Sequence, residues 1–410
     1  MADVHLGARK YGERAIYEDV LQAFEESIEQ LTRERVDVLV LSGDLFDSPH
    51  PDNDVMAFAV RKLRQLTSRG VRVIAARGEH DTPGRKEKSP LDVLSAAIEG
   101  FQAPFPSGAR GDELLDLITV RMNGVGFVVH PFLKVSVDER RELYASVLRP
   151  LYERRVKELK SSGLKTVFVA HFSVEPILMY DAVANLTELP EADYVALGHV
   201  HRRCIRCVTP PGRTGVWYAY PGSLYPLDVS ESELQHRRGP LLVDLTGQEP
   251  SVQEIDVAVR RHYVVEAELR DPKDVEGALR AALGNVTRPP QGKEPLVHVR
   301  LRVGVKVPTR LVELASAKVA RERGVIVVPH MTRVSEEGEA APAREAKGPE
   351  GLSPIDVFRS ELRLDEFTSK VLAELITAAS EGSEEGVEDA LEKLASWPKS
   401  LELLRGLASQ

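Results

Sequence analysis

Acidic and imidazole side chains gather in five short stretches of this sequence: DVHLG (3–7), GDLFD (43–47), GEHD (78–81), VFVAHF (167–172) and VALGHVH (195–201). Together they supply Asp3, His5, Asp44, Glu79, His80, His171, His199 and His201. Mixed carboxylate and imidazole donors without a thiolate suit Mn, Fe or Zn better than Ca. A pair of such cations, about 3.5–4 Å apart, needs a bridging carboxylate with oxygen or nitrogen donors on both sides, and it serves in-line displacement at phosphorus. The spacing fits: in D-x-H and H-x-H, residues two apart on extended backbone face the same way. Glycine precedes Asp44, Glu79 and His199, where the backbone must turn sharply toward a ligand. Any one piece alone reads as a turn with a capping Asp. Five in series, each beside an apolar run, point to a dimetal site.

The elements that would position them are legible from periodicity. Tyr17, Val20, Leu21, Phe24, Ile28 and Leu31 form one helical face, followed by the buried strand VDVLVLSGD (36–44). A second helix with Val55, Phe58, Ala59, Leu63 and Leu66 leads into the strand VRVIAA (71–76). This βαβ rhythm predicts a parallel sheet with helices outside, and in such sheets ligands gather at the carboxyl ends of strands. Later strands come with fewer helices between them, as in an α/β fold of two stacked sheets flanked by helices. Near residue 245 the pattern resets to RHYVVEAELRD, a helix at 273–284, PLVHVRLRVGV, a helix near 308–323 and VIVVPHMTRV, a small domain of either β-α-β-β or βαβαβ pattern. SEEGEAAPAREAKGPEG (335–351) has linker composition, and two amphipathic helices follow it. The expected division is 1–244, a cap at 245–334, a linker at 335–352 and a helical tail at 353–410. The tail either folds back on its own protein or docks a partner.

Bulk properties exclude several classes. A length of 410 residues calls for two or three domains. No apolar stretch reaches the roughly 20 residues of a membrane span, and no signal peptide opens the chain. A formal charge of −9 means that any polyanion must find a local basic surface. Arg9, Lys10, Arg14, Arg85, Lys86, Lys88, Arg202, Arg203 and Arg206 follow the acidic motifs and offer either such a rim or ordinary solvated loops. Two cysteines favour a reducing cytoplasm, and CIRC (204–207), with no second pair, is expected to be neither a zinc site nor a redox centre. His130, His262, His298 and His330 fit no motif and read as core or surface residues.

The blocks D-x-H, G-D-x-x-D, G-N-H-D/E, a lone His and G-H-x-H, in this order, resemble those of calcineurin-like metallophosphoesterases. The wider context, including VLSGDLFDSPHP, AHFSV, LGHVHRR and YPGSL, is similar to the meiotic recombination eleven (bacterial SbcD) nuclease family of double-strand-break repair, especially its archaeal members. The likeness covers roughly residues 2–245. It implies a four-layer α/β/β/α sandwich with a small α+β cap domain and a helical C-terminal tail. It further implies two Mn2+ ions, with Mg2+, Fe2+ or Zn2+ as alternatives. Asp3, His5 and His201 would hold one ion, His171 and His199 the other, and Asp44 would bridge them. Position 79 would be a ligand of the second ion, His80 the proton donor or transition-state stabiliser, and Asp81 a brace for its own loop. The implied activities are 3'-5' double-strand exonuclease and single-strand endonuclease action on DNA ends, in the cytoplasm at the nucleoid. The implied partners are a Rad-fifty (SbcC) type coiled-coil ATPase, gripped by the tail at 353–379, and a second copy of the chain. PLDVLSAAIEGF (90–101), with Leu91, Leu94, Ile98 and Phe101, is the candidate dimer helix, and a core-packing helix is its alternative.

Three positions depart from the pattern. Glu79 stands in place of Asn, adding length and a negative charge, so an altered metal preference is expected rather than a dead site. Asp47 stands where some archaeal relatives carry His, which leaves the exonuclease-to-endonuclease balance open. Only Met1 and Ala2 precede Asp3, so the natural protein is expected to begin earlier, or Asp3 to fray and weaken the first site. Two rival readings share the core: a metallophosphatase on small phosphoesters, and a non-catalytic scaffold for DNA and the ATPase.

Overall fold

The computed structural model describes residues 1–333, apart from 85–86, 107, 180, 209–215, 235–236, 288–291 and 305–306, together with Val371. The expected linker and, Val371 aside, the expected tail lie outside the described residues. Residues Met1–Met331 form one compact unit.

Helix α1 (Arg14–Arg33) precedes strand β1 (Val38–Ser42), then α2 (Asn53–Thr67), β2 (Arg72–Ala76), α3 (Pro90–Ala97) and β3 (Phe101–Gln102). The strands form a parallel sheet in the order β1-β2-β3. Ile16, Val20, Phe24, Ile28 and Leu31 recur at helical spacing on α1 and are buried, as are Val55, Ala59, Leu63 and Leu66 on α2. Leu91, Leu94, Ile98 and Phe101 join this same core. The four side chains expected to make a dimer face are therefore spent inside their own domain, and the core-packing alternative holds.

The second sheet contains β4 (Thr119–Met122), β5 (Val125–Val129), β6 (Lys165–His171), β9 (Tyr194–Gly198), β10 (Cys204–Ile205) and β11 (Tyr218–Tyr220), while β7 (Val174–Glu175) and β8 (Ala184–Asn185) form a separate pair. Its order is β10-β11-β9-β6-β5-β4, with antiparallel strands only at the edges. Alternation along β6 sorts the layers: Val167 and Val169 meet Ile74 and Ala76 of the first sheet, whereas Phe168 packs with Tyr152, Val156 and Leu159 on the helix side. α4 (Gly111–Leu117) and α6 (Arg149–Ser161) share this core through Leu115, Tyr152, Val156 and Leu159, and α5 (Val137–Leu143) leads into α6. The result is the four-layer arrangement of helix, sheet, sheet and helix.

The first residues do not fray. The Met1 amino group donates to Val40 O at 3.0 Å, Ser42 N to Met1 O at 2.9 Å, Asp3 N to Gly43 O at 3.1 Å and Val4 N to Asp44 O at 2.8 Å. Asp3 is thus tied along β1 and its following loop. The expected boundary at 244/245 also shifts. β12 (Leu241–Asp244) pairs antiparallel with β13 (Ser251–Glu254), and Ile255 and Val257 enter the core of the first sheet. Beyond them β14 (His262–Leu269), α8 (Val275–Ala282), β15 (Leu296–Val303), α9 (Thr309–Arg323) and β16 (Ile326–Arg333) make a βαβαβ module with its own core of Leu269, Leu279, Val299, Leu301, Val312 and Val319. A short helix, α7 (Val229–Leu234), lies between.

The two cysteines, expected to form neither a zinc site nor a redox centre, make a pairing that the expectation did not include. Cys204 and Cys207 form a disulfide, with Cα atoms 5.3 Å apart. Edge strand β10 and the left-handed backbone at Arg206 (φ 44°) turn the C-x-x-C stretch back on itself. Among the described residues, no helix is long and apolar enough to cross a membrane.

Candidate metal centre

β1, β2, β6 and β9 run parallel within their sheets, and their registers place Ser42 beside Ala76 and His171 beside Gly198. The acidic and imidazole stretches therefore leave the sheets at one end of the sandwich. The backbone there is unusual: Asp3, His5 and Asp44 each have φ 51°, and His199 has φ 89°. Residues with a Cβ adopt this left-handed region at a cost, and such strain concentrates at functional sites. Gly43 has φ 89°, and a Cβ there would fall 2.1 Å from His171 Nδ1. A Cβ at Gly78 would fall 2.1 Å from Asp44 Oδ1. The first glycine thus serves a turn and the second serves close approach.

Three overlapping groups of donor atoms result: Asp3, His5 and His201; His5, Asp44 and His80; Asp3, Asp44 and His171. Asp44 Oδ2 lies 3.2 Å from His171 Nε2 and 3.9 Å from His5 Nε2. Asp3 Oδ1 lies 3.9 Å from His201 Nε2 and 3.9 Å from His171 Nδ1. His5 Nε2 and His201 Nε2 approach to 3.1 Å.

Partners outside the cluster fix the rings. His171 Nδ1 bonds Ser42 O at 2.8 Å, across from one sheet to the other. His80 Nδ1 bonds Asp47 O at 2.9 Å, and His201 Nδ1 meets Glu231 Oε1 at 2.8 Å. Each leaves Nε2 as the remaining ring nitrogen, the arrangement by which metal-binding histidines are oriented. Buried His171 Nε2 makes no well-formed hydrogen bond although Asp44 Oδ2 lies only 3.2 Å away, and buried His5 Nδ1 likewise only faces Asp47 Oδ1 at 3.3 Å. A buried ring nitrogen and a carboxylate oxygen that meet without a good hydrogen bond, as His171 and Asp44 do, suit a divalent cation as shared partner.

Electrostatics agree. Burial works against a charge on His171, yet the facing Asp44 and Asp3 outweigh it and hold the imidazolium up at about 10. His201 is half-buried, and against that desolvation Glu231 and Asp3 hold it up at about 9. Burial alone would raise Asp44, but His171, His5 and His80 keep it well below the usual carboxylate range. The cluster is thus a sink for positive charge, filled by protons in the absence of ions. Asp81 acts as the expected brace and more. Its carboxylate accepts from Gly78 N at 3.1 Å, and also from Leu45 N at 3.2 Å and Phe46 N at 3.0 Å, pinning two motif loops together.

Two expected ligands fall outside these groups. Glu79 is exposed, and what approaches the centre is the backbone beside it, with His80 N donating to Asp44 Oδ1 at 2.9 Å. His199 packs its ring 5.3 Å from that of His171, but its Nε2 is bonded to Asp181 Oδ2 at 2.6 Å. Asp181 and Glu231 are the partners that motif reading missed, because nothing local marks them. The basic rim divides. Arg203 is largely buried and bonds Glu254 at 2.7 Å, Arg9 pairs with Asp52, and Arg206 stacks on Trp217. Lys88 and Arg202 are exposed, while Arg85 and Lys86 lie outside the described residues.

Residues 1–203 match the calcineurin-like phosphoesterase family. The DNA double-strand break repair protein Mre11 of Aeropyrum pernix is 36% identical over 407 residues, covering 97% of this chain and 95% of that protein. The chain belongs to the Mre11 family. Proteins of the same description from Sulfurisphaera tokodaii (27% identity, 75% of this chain and 73% of that one) and Sulfolobus acidocaldarius (23%, 96% and 97%) are also similar. Membership accounts for the metallophosphoesterase fold, and the family implies divalent metal ions.

Proposed function

We propose that the chain is a metal-dependent DNA nuclease that processes ends in double-strand-break repair, with 3'-5' exonuclease action on duplexes and endonuclease action on single strands. One observation carries the reading: a single buried carboxylate, Asp44, lies between His171 and His5, while Asp3 faces His201. Two groups of donors sharing one carboxylate are what a pair of neighbouring cations requires. Asp3, His5 and His201 would hold one ion, and His171, with His199, the other. Glu79, exposed, is proposed only as an outer oxygen donor. When bound, Mn2+ (or Mg2+, Fe2+ or Zn2+) would supply Lewis-acid charge for the phosphoryl oxygens and activate water.

The chain's own groups do the rest. His80, its Nδ1–H held by Asp47 O, would donate the Nε2 proton of its imidazolium form to the leaving oxygen and be left as the neutral Nδ1–H tautomer. Its ring stacks edgewise on His5, 4.8 Å between centroids, so the proton is carried beside the ion cluster. Lys88 and Arg202 offer exposed cations for phosphates, and the βαβαβ module gives a polymeric substrate a second surface that a small phosphoester would not need. A coiled-coil ATPase gripped by residues 353–379, pairing with a second copy, and action at the nucleoid complete the proposal.

The test is Mn2+-dependent cleavage of end-labelled duplex and single-stranded DNA, with and without the ATPase partner. His80→Gln is expected to lower the rate by about 10²–10⁴-fold with DNA binding intact. Turnover of a small phosphoester without DNA cleavage would make the chain a phosphatase, and DNA binding without any cleavage would make it a scaffold.

A further inference from the structure

We infer that Glu231 is a positioning residue for His201, and that α7, which carries it, ties the orientation of that imidazole to the βαβαβ module. The inference rests on the reading of His201 as a metal ligand and adds the device that aims it.

Glu231 is buried and fixed at both oxygens. Oε1 meets His201 Nδ1 at 2.8 Å, which holds a proton on Nδ1 and aims Nε2 toward Asp3 and His5, where a bound ion would replace the Nε2 proton. Oε2 accepts from Ser223 Oγ at 2.8 Å and lies 3.2 Å from Arg238 Nη1. The same buried guanidinium reaches His201 O, Ser223 O and Glu231 O, each at 3.3 Å. It thus clamps the backbone of the ligand and of its orienting residue together. A buried ion pair adds little net stability against its desolvation. Here the pair fixes a direction.

The neighbouring residue faces the other way. Ser232 donates its hydroxyl proton to Asp228 O at 2.8 Å, so its oxygen is free to accept. His262 Nδ1, on β14, lies 2.8 Å from that oxygen and His298 Nε2, on β15, lies 3.2 Å from it. Glu231 and Ser232, consecutive on one six-residue helix, therefore touch a candidate metal ligand and two strands of the module. Displacement of the module would drag α7 and rotate the carboxylate that sets His201.

The experiment is calorimetric titration of the metal-free full-length protein with Mn2+, comparing wild type, His201→Ala, Glu231→Gln and Ser232→Ala. Wild type is expected to bind two ions and His201→Ala to lose one. Glu231→Gln is expected to keep both but weaken one by about 10–100-fold, leaving the other as in wild type. Ser232→Ala should weaken that same ion severalfold. A general loosening of the fold would weaken both ions alike, and that result, or wild-type affinities in Glu231→Gln, overturns the positioning role. Unchanged affinities in Ser232→Ala overturn the tie to the module. If His201→Ala retains both ions, the reading of His201 as a ligand fails instead, and the inference with it. Should Glu231→Gln not fold, Ser223→Ala removes a support of the same carboxylate, and the same contrast between the two ions decides.

Discussion

Two clusters of histidines lie on either side of α7, and their chemistry is opposite. At the strand ends, His171 and His201 face Asp44, Asp3 and Glu231, and they are held up at about 10 and about 9. At the module joint, His262, His298 and His330 meet hydroxyls, one another and the aromatic ring of Tyr11. Burial outweighs the raising pull of the Asp19 carboxylate and pushes His262 down to about 4; it pushes His298 to about 3 and lowers His330 as well, and among the described residues no carboxylate bonds these rings. Burial is similar in the two places, so the partner decides the charge. The first cluster offers donors suited to cations, and the second joins α7 to β14 and β15 through rings whose charging burial disfavours.

Removing the decisive carboxylate should break this contrast most. Asp44→Asn leaves His171 and His5 facing a neutral amide. DNA cleavage is expected to fall by at least about 10³-fold, with fewer Mn2+ ions bound, as measured by end-labelled cleavage and calorimetry. Next in size is proton release. His171 and His201 carry protons at pH 7 in the metal-free protein, so cation binding should expel about two of them, and affinity should rise with pH. Calorimetry in two buffers of different ionisation enthalpy reads the number. Independence of buffer and pH would erase the difference between the clusters.

The joint should respond to acid. The unfolded chain protonates its histidines near the ordinary value of 6.5, whereas folded His262 and His298 hold out to about 4 and about 3. The unfolded state therefore binds more protons in this window, and native stability falls as the pH drops from 6.5 toward 3. Protection factors of the β14 and β15 amides, corrected for the slower intrinsic exchange at low pH, should fall between pH 7.5 and pH 5, with His298→Gln flattening the response. Smallest is Glu79→Asn. An exposed carboxylate outside the donor groups should change Mn2+ affinity by no more than about fivefold, the reach of a surface charge. A larger loss would bring Glu79 into the centre.

What was legible in the sequence follows from the same physics. Asp44, His80, His171 and His201 follow apolar runs, and parallel registers bring such ends together, while Asp3 and His5 stand out by their D-x-H spacing and are carried there by hydrogen bonds to the loop after β1. The two sheets were equally readable from periodicity, whereas for the terminal module periodicity left β-α-β-β and βαβαβ both open, and the structure has the second. Asp181 and Glu231 were not, because they act from 18 and 30 residues away on His199 and His201, within ordinary polar segments. Periodicity could not say whether Leu91, Leu94, Ile98 and Phe101 face a core or a partner, since both demand the same stripe. The β12–β13 hairpin straddles the apparent reset near 245, so composition placed the boundary too early. The C-x-x-C pair closes on itself, which residue counting alone did not reveal.

Anomalous diffraction from crystals grown with Mn2+ tests the central claim most directly. Two peaks are expected, one on either side of the Asp44 carboxylate, with His171 bounding one and His5 and His201 the other, and no manganese among His262, His298 and His330. Manganese at the module joint, or a strand-end cluster left empty at saturating ion, would contradict the account.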